Sequence, residues 1–223
     1  DIVKIHNLEP QDEFQLMQKI TFVIDPSAVV KFPEVKKTPK IKEFKYAPPI
    51  KKLVDEHFLI KRMLALIPFL IENLDLNNEA NRQGVLNGLF FIRNYADKFH
   101  HAKEDDILFE YCDKDSDIIK AMLDDHTTGR NHVKNIFNGV EIKDATLVKE
   151  NLQGYMELLT EHIKKEDEIL YPWIEKGLSM GQIGELYGKF KEADNAIGEL
   201  IPKKCFQIVE NFEALIHSKQ IIL

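Results

Sequence analysis

Two stretches of this chain are near copies of each other, and both place a histidine and a glutamate one helical turn apart. The first is His100 to Phe109, HHAKEDDILF; the second is His162 to Tyr171, HIKKEDEILY. With His100 set on His162, Lys103 falls on Lys165, Glu104 on Glu166, Asp105 on Asp167, Ile107 on Ile169, Leu108 on Leu170 and Phe109 on Tyr171. Identity at one register over that length is an internal repeat, and any fold for the chain must accommodate two like units.

Both copies lie in sequence of helical period. After Pro49, apolar residues recur in steps of three and four through Leu53, His57, Ile60, Leu64, Ile67, Ile71 and Leu74, with Pro68 expected to kink the helix. A second helix, from about Glu79 to Tyr111, carries Leu89, Ile92, Ala96, His100, Glu104, Ile107 and Tyr111 on one stripe. The third shows Ile119, Met122, His126, Gly129, Val133, Ile136 and Val140, with Asn138-Gly139 as its end. The fourth, from about Asp144, aligns Val148, Leu152, Tyr155, Leu159, His162, Glu166, Ile169 and Trp173, and Pro172 marks the end of its regular part. Four helices of this length with one buried stripe each predict an all-α fold, an antiparallel up-down four-helix bundle. Residues 50–176 form that bundle. Residues 1–49, punctuated by prolines around one short helical period at Phe14 to Ile24, read as an extended arm or small subdomain. Residues 177–223 carry two shorter amphipathic pieces, Ile183 to Glu192 and Lys203 to His217, as a helical extension.

Each stripe sends a titratable side chain into the core, and burying such groups unpartnered costs several kcal/mol apiece. A bound cation removes that cost. Residues four apart on a helix share a face, so His100 with Glu104 and His162 with Glu166 can each grip one centre. His57 and His126 each add an imidazole from a neighbouring helix. Four imidazoles and two carboxylates are donors for two metal ions rather than one. The two carboxylates offset half the charge of two divalent ions, which invites an oxide, hydroxide or other small anion. Such donors suit iron, and also zinc, copper, nickel or manganese.

Glu56-His57, His100-x-x-x-Glu104-Asp105, Asp125-His126 and His162-x-x-x-Glu166-Asp167 together resemble the hemerythrin-like (HHE) cation-binding domain, over about Ile50 to Lys176. The resemblance implies a non-heme di-iron centre of two iron ions, oxo- or hydroxo-bridged, with zinc, nickel or manganese as substitutes. His57, His100, His126 and His162 are then terminal ligands, with Glu104 and Glu166 bridging. The ligand or partner implied is a small diatomic molecule (O2 or NO) or peroxide, met in sensing, stress protection or iron-centre repair. Oxygen carriers of the family have a fifth histidine one turn after the third-helix ligand, where this chain has Arg130, so the pattern is more similar to the repair and sensor branches. An enzyme reducing NO or peroxide, and a storage or structural metal module with a protein partner, are the alternatives.

The remaining candidates separate on spacing. Asp105 and Asp167 sit five residues after the histidines and could replace the glutamates as ligands. His101, next to a ligand, is expected to turn about a quarter-circle away, toward hydrogen bonding or the surface. His6, His132 and His217 read as surface residues; Tyr155, two turns before His162, can line the pocket or simply pack, and Gly129, beside His126, fits room for a small ligand and close helix packing equally. A net charge of -7 speaks against nucleic acid. No apolar run approaches the roughly 18 residues of a membrane span, so no membrane segment is expected. Two cysteines exclude a disulfide scaffold and favour a cytoplasmic setting. A chain opening on Asp1 reads as processed or truncated, without a signal peptide. The terminal extensions are the expected places for a protein partner or for homo-oligomer contacts.

Overall fold

Helix α1 (Pro48–Glu72) starts on a proline pair, where a missing backbone N–H leaves no bond unmade. The computed structural model describes residues 46–220, with side chains through 218, all within one compact unit. The arm expected over 1–49, with its period at Phe14 to Ile24 and with His6, therefore lies almost wholly outside the described residues. Helix α2 (Glu79–Phe91) is capped by Asn78, whose side chain accepts from the Asn81 N–H. It runs on as a π-helix over Ile92–His101 and then as α3 (Ala102–Asp106). A 3-10 turn over Leu108–Tyr111 follows, then α4 (Asp117–Glu141) and α5 (Ala145–Lys165), the latter capped by Asp144. A second π turn, Glu166–Leu170, leads into α6 (Tyr171–Gly177). Two long helices complete the described residues: α7 (Met180–Ile197), opened by a Ser179–Gln182 capping box, and α8 (Leu200–Gln220).

The described residues contain no strand, and the chain is an all-α helical bundle. Helix α4 packs along α5; α1 packs against α5, α7 and α8. The tight turn between α4 and α5 places Lys143 at φ 56 and brings α5 over Gly139, where a Cβ would sit 2.8 Å from Val148 Cγ2. Gly139 is small because the helices close there.

The apolar core is in two parts. One contains Ile60, Ala96, Val133 and Leu159; the other contains Leu53, Leu108, Met122 and Leu170. His57, His100, His126 and His162 each fall, along their own helix, between a residue of the first part and one of the second. The polar layer is thus closed off by hydrocarbon at both ends, which sets a low local dielectric around it.

The stripe foreseen for the fourth helix departs from the structure at its end. Ile169 and Trp173 are 57% and 48% exposed, whereas Leu170, Tyr171 and Ile174 are buried. The π turn is the cause, since its wider i→i+5 loop takes up an extra residue and moves the buried stripe on by one. In the second helix the regular part likewise ends at Asp106, short of Tyr111, which is half-buried.

Candidate metal centre

The six residues singled out by spacing, His57, His100, Glu104, His126, His162 and Glu166, are all buried and lie together. They form two groups. His57, His100 and Glu166 offer donor atoms within 4.8 Å of one another, and so do Glu104, His126, His162 and His101. In the first group His57 Nε2 faces His100 Nε2 at 3.0 Å; in the second His126 Nε2 faces His162 Nε2 at 2.9 Å. Two nitrogens bound to one ion at about 2.1 Å, at right angles, are about 3 Å apart.

The carboxylates lie between the groups. Glu166 Oε2 is 3.2 Å from His57 Nε2 and its Oε1 is 3.1 Å from His162 Nε2, so it offers one oxygen to each group. Glu104 Oε2 is 3.6 Å from both His100 Nε2 and His126 Nε2, while its Oε1 accepts from the Tyr171 hydroxyl at 2.5 Å. Glu104 Oε2 and both oxygens of Glu166 are buried without a properly aligned hydrogen bond. An unsatisfied buried carboxylate is among the costliest features a core can hold, and a cation between the two glutamates satisfies all three oxygens. The residues present fit a pair of metal ions.

Each imidazole turns its other nitrogen outward to a carboxylate. His57 Nδ1 meets Asp167 at 2.8 Å, His100 Nδ1 meets Glu56 at 2.9 Å, His126 Nδ1 meets Asp105 at 2.7 Å and His162 Nδ1 meets Asp125 at 3.2 Å. An acceptor on Nδ1 holds the proton there, leaves Nε2 free for a metal and makes it a better donor. Asp105 and Asp167, weighed above as alternative ligands, therefore stand behind the opposite histidines. Each carboxylate in turn meets a cation. Lys61 pairs with Asp167 at 2.6 Å, Arg130 with Asp105 at 2.9 Å and Lys165 with Asp125 at 2.9 Å, and Lys103 pairs with Glu56.

His101 corrects the expectation that it turns away. It is buried, its ring stacks on that of His126 at 4.0 Å, and it shares the second group's donor set. A quarter-turn from His100 assumes 3.6 residues per turn, but both histidines close a π-helix, whose wider turn lets neighbours face the same interior. The count of imidazoles is five, with the fifth supplied from beside His100 rather than from the position of Arg130. His132 is half-buried against Asn151 at 3.0 Å, away from the site, and His217 is exposed.

Without metal the charges conflict. Burial together with Glu166 pushes Glu104 well above the carboxylate range, while His162 and His57 overcome burial and hold Glu166 well below it. Burial drives His100 down to about 4, against the pull of Glu56; on His162 burial acts downward too, but Glu166 and Asp125 lift it to about 9. Burial and the neighbouring imidazoles hold His101 well below its ordinary value. A cavity of about 480 Å³, lined by Ile92, Val133, Tyr155 and Leu159 among others, reaches His101 and His126. Gly129 lies on its wall.

The model of the hemerythrin HHE cation-binding domain matches residues 48–174, more than half of the chain. The protein belongs to the hemerythrin HHE family. Comparison with curated proteins and with solved structures gives no match. The family match ends before α7 begins, so α7 and α8 lie outside the matched residues. Family membership and the clusters of histidine and glutamate together make this a metal-binding protein. No helix among the described residues is long and apolar enough to cross a membrane.

Proposed function

We propose that the protein holds two iron ions, one in each donor group, and binds a small exogenous ligand such as O2, NO or peroxide at that centre. The observation that carries this reading is the set of three buried, unsatisfied carboxylate oxygens of Glu104 and Glu166, placed between two groups of imidazoles whose Nε2 atoms face inward. His57 and His100 would hold the first ion, His101, His126 and His162 the second, and Glu166 and Glu104 both. Bound iron supplies reversible one-electron redox chemistry and a coordination position for a small ligand. The first group contributes one imidazole fewer, while the cavity open to a small ligand adjoins the second group at His101 and His126.

The chain's own residues do the rest. Glu56, Asp105, Asp125 and Asp167 keep the imidazole protons on Nδ1 and orient the rings. The two halves of the apolar core exclude bulk water, and the cavity beside His101 and His126 gives a small molecule a path inward. Sensing, stress protection and iron-centre repair are the roles such a site would serve.

Anaerobic purification followed by metal analysis tests the proposal. The expected result is close to two irons per chain, with an absorption band of the oxidised form that changes when NO or azide is added. A stable preparation holding a single zinc, with no spectral response to either ligand, overturns it.

A further inference from the structure

The outer layer around His100 is larger than its counterpart around His162, and the extra group comes from beyond the residues that match the family. Asp194, on α7, receives the Lys103 ammonium on Oδ1 at 3.1 Å and pairs through Oδ2 with Lys52 at 2.8 Å. Both lysines also meet Glu56, Lys52 at 3.5 Å, and Glu56 Oε2 is the partner of His100 Nδ1 at 2.9 Å. Lys103 is only 2% exposed, and Phe99 lies 3.8 Å and Phe190 of α7 5.9 Å from its ammonium. The mirror chain ends sooner: Lys165 meets Asp125, is 43% exposed, and has no further acidic partner among the described residues.

We infer that α7 is a working part of the first metal group, with Asp194 a positioning residue that acts on His100 through Lys103 and Glu56. Two lysines, Glu56 and Asp194 sum to zero in a cluster whose inner members, Lys103 and Glu56, are buried and whose outer members, Lys52 and Asp194, are partly exposed, so Glu56 keeps enough negative charge to hold the His100 proton. Removing the Asp194 charge leaves two ammonium groups competing for Glu56, weakens its hold on His100 Nδ1 and makes Nε2 a poorer donor. The effect belongs to one group of donors only, because α7 reaches only Glu56 of the four outer carboxylates.

This inference rests on the metal-binding reading, and the test keeps the two apart. Cobalt(II) affinity is measured on the full chain in two backgrounds, His126→Ala, which spares the first group, and His57→Ala, which spares the second. Asp194→Asn is expected to weaken binding about threefold to tenfold in the first background, at or below the low end for outer partners of metal ligands, and to leave the second unchanged. Adding Lys52→Gln to Asp194→Asn restores neutrality and should recover the parent affinity; a residue that merely docks α7 gives a further loss instead. Equal weakening in both backgrounds, no weakening in either, or no rescue overturns the inference. Failure of the unsubstituted chain to bind cobalt overturns the metal reading itself, and this inference with it.

Discussion

The hairpin of α1 and α2 and the hairpin of α4 and α5 carry the same device in the same order. Glu56-His57 corresponds to Asp125-His126, His100 to His162, Glu104-Asp105 to Glu166-Asp167, Lys103 to Lys165 and Lys61 to Arg130. The correspondence extends to who meets whom. The acid before the single histidine holds the paired histidine of its own hairpin, and the acid after each glutamate holds the single histidine of the other. Three positions break the pattern. His101 stands where Ile163 does, Phe109 where Tyr171 does, and Lys103 is sealed by Asp194 whereas Lys165 is open to water. What the halves share is the support any buried imidazole and carboxylate need; what they do not share makes one donor group unlike the other.

Removing the shared carboxylate attacks both halves at once. Glu166→Leu is expected to abolish tight metal binding, by metal analysis, and to lower the chemical-denaturation stability of the metal-free protein by about 3 kcal/mol, because it takes from the buried His57 and His162 the carboxylate that lies 3.2 and 3.1 Å from their Nε2 atoms. A metal-free variant as stable as its parent would sink the assignment of this buried pairing to Glu166.

Making the halves alike at His101 comes next. His101→Ile copies Ile163 and should weaken the second metal ion by about a hundredfold, at least the upper end for losing an outer partner, while the first is retained. Isothermal titration with cobalt or zinc would read this as loss of one of two binding steps. Two steps of unchanged affinity would return His101 to a packing role.

The outer acids give a matched pair of smaller effects. Asp167→Asn should weaken the ion held by His57, and Asp105→Asn the ion held by His126, each by about 10–100-fold. Crossed or equal effects on both ions would break the mirror correspondence. Last, Tyr171→Phe copies Phe109 and strips the hydroxyl from Glu104 Oε1, for an expected loss of about 1–3 kcal/mol by urea denaturation of the metal-free protein. Arg130→Ala, at a side chain 45% exposed, should cost under about 1 kcal/mol in the same measurement.

The inner donors were legible because His57, His100, Glu104, His126, His162 and Glu166 interrupt apolar stripes of constant period. His101, Ile169 and Trp173 were misplaced for one shared reason, that a period read at 3.6 residues per turn passes silently through a π turn. A trace of it was present in the repeat, since two aligned copies that match at His100 and His162 disagree in polarity at the very next residue. The outer acids Glu56 and Asp125 are visible beside His57 and His126, but the crossing of Asp105 and Asp167 from one hairpin to the other depends on three-dimensional register. Lys103 and Asp194 are 91 residues apart, and no local pattern announces their meeting.

The exchange of Asp105 and Asp167 between hairpins has a mechanical consequence. Neither hairpin owns a complete donor set: the first metal group borrows Glu166 and the second borrows His101 and Glu104. On the proposed reading, metal would rivet both hairpins together, and at a thousandfold excess over its dissociation constant each ion would add about 4 kcal/mol to the closed state. Amide exchange should accordingly slow together in α1, α2, α4 and α5 on loading, so that the four helices open as one body or not at all.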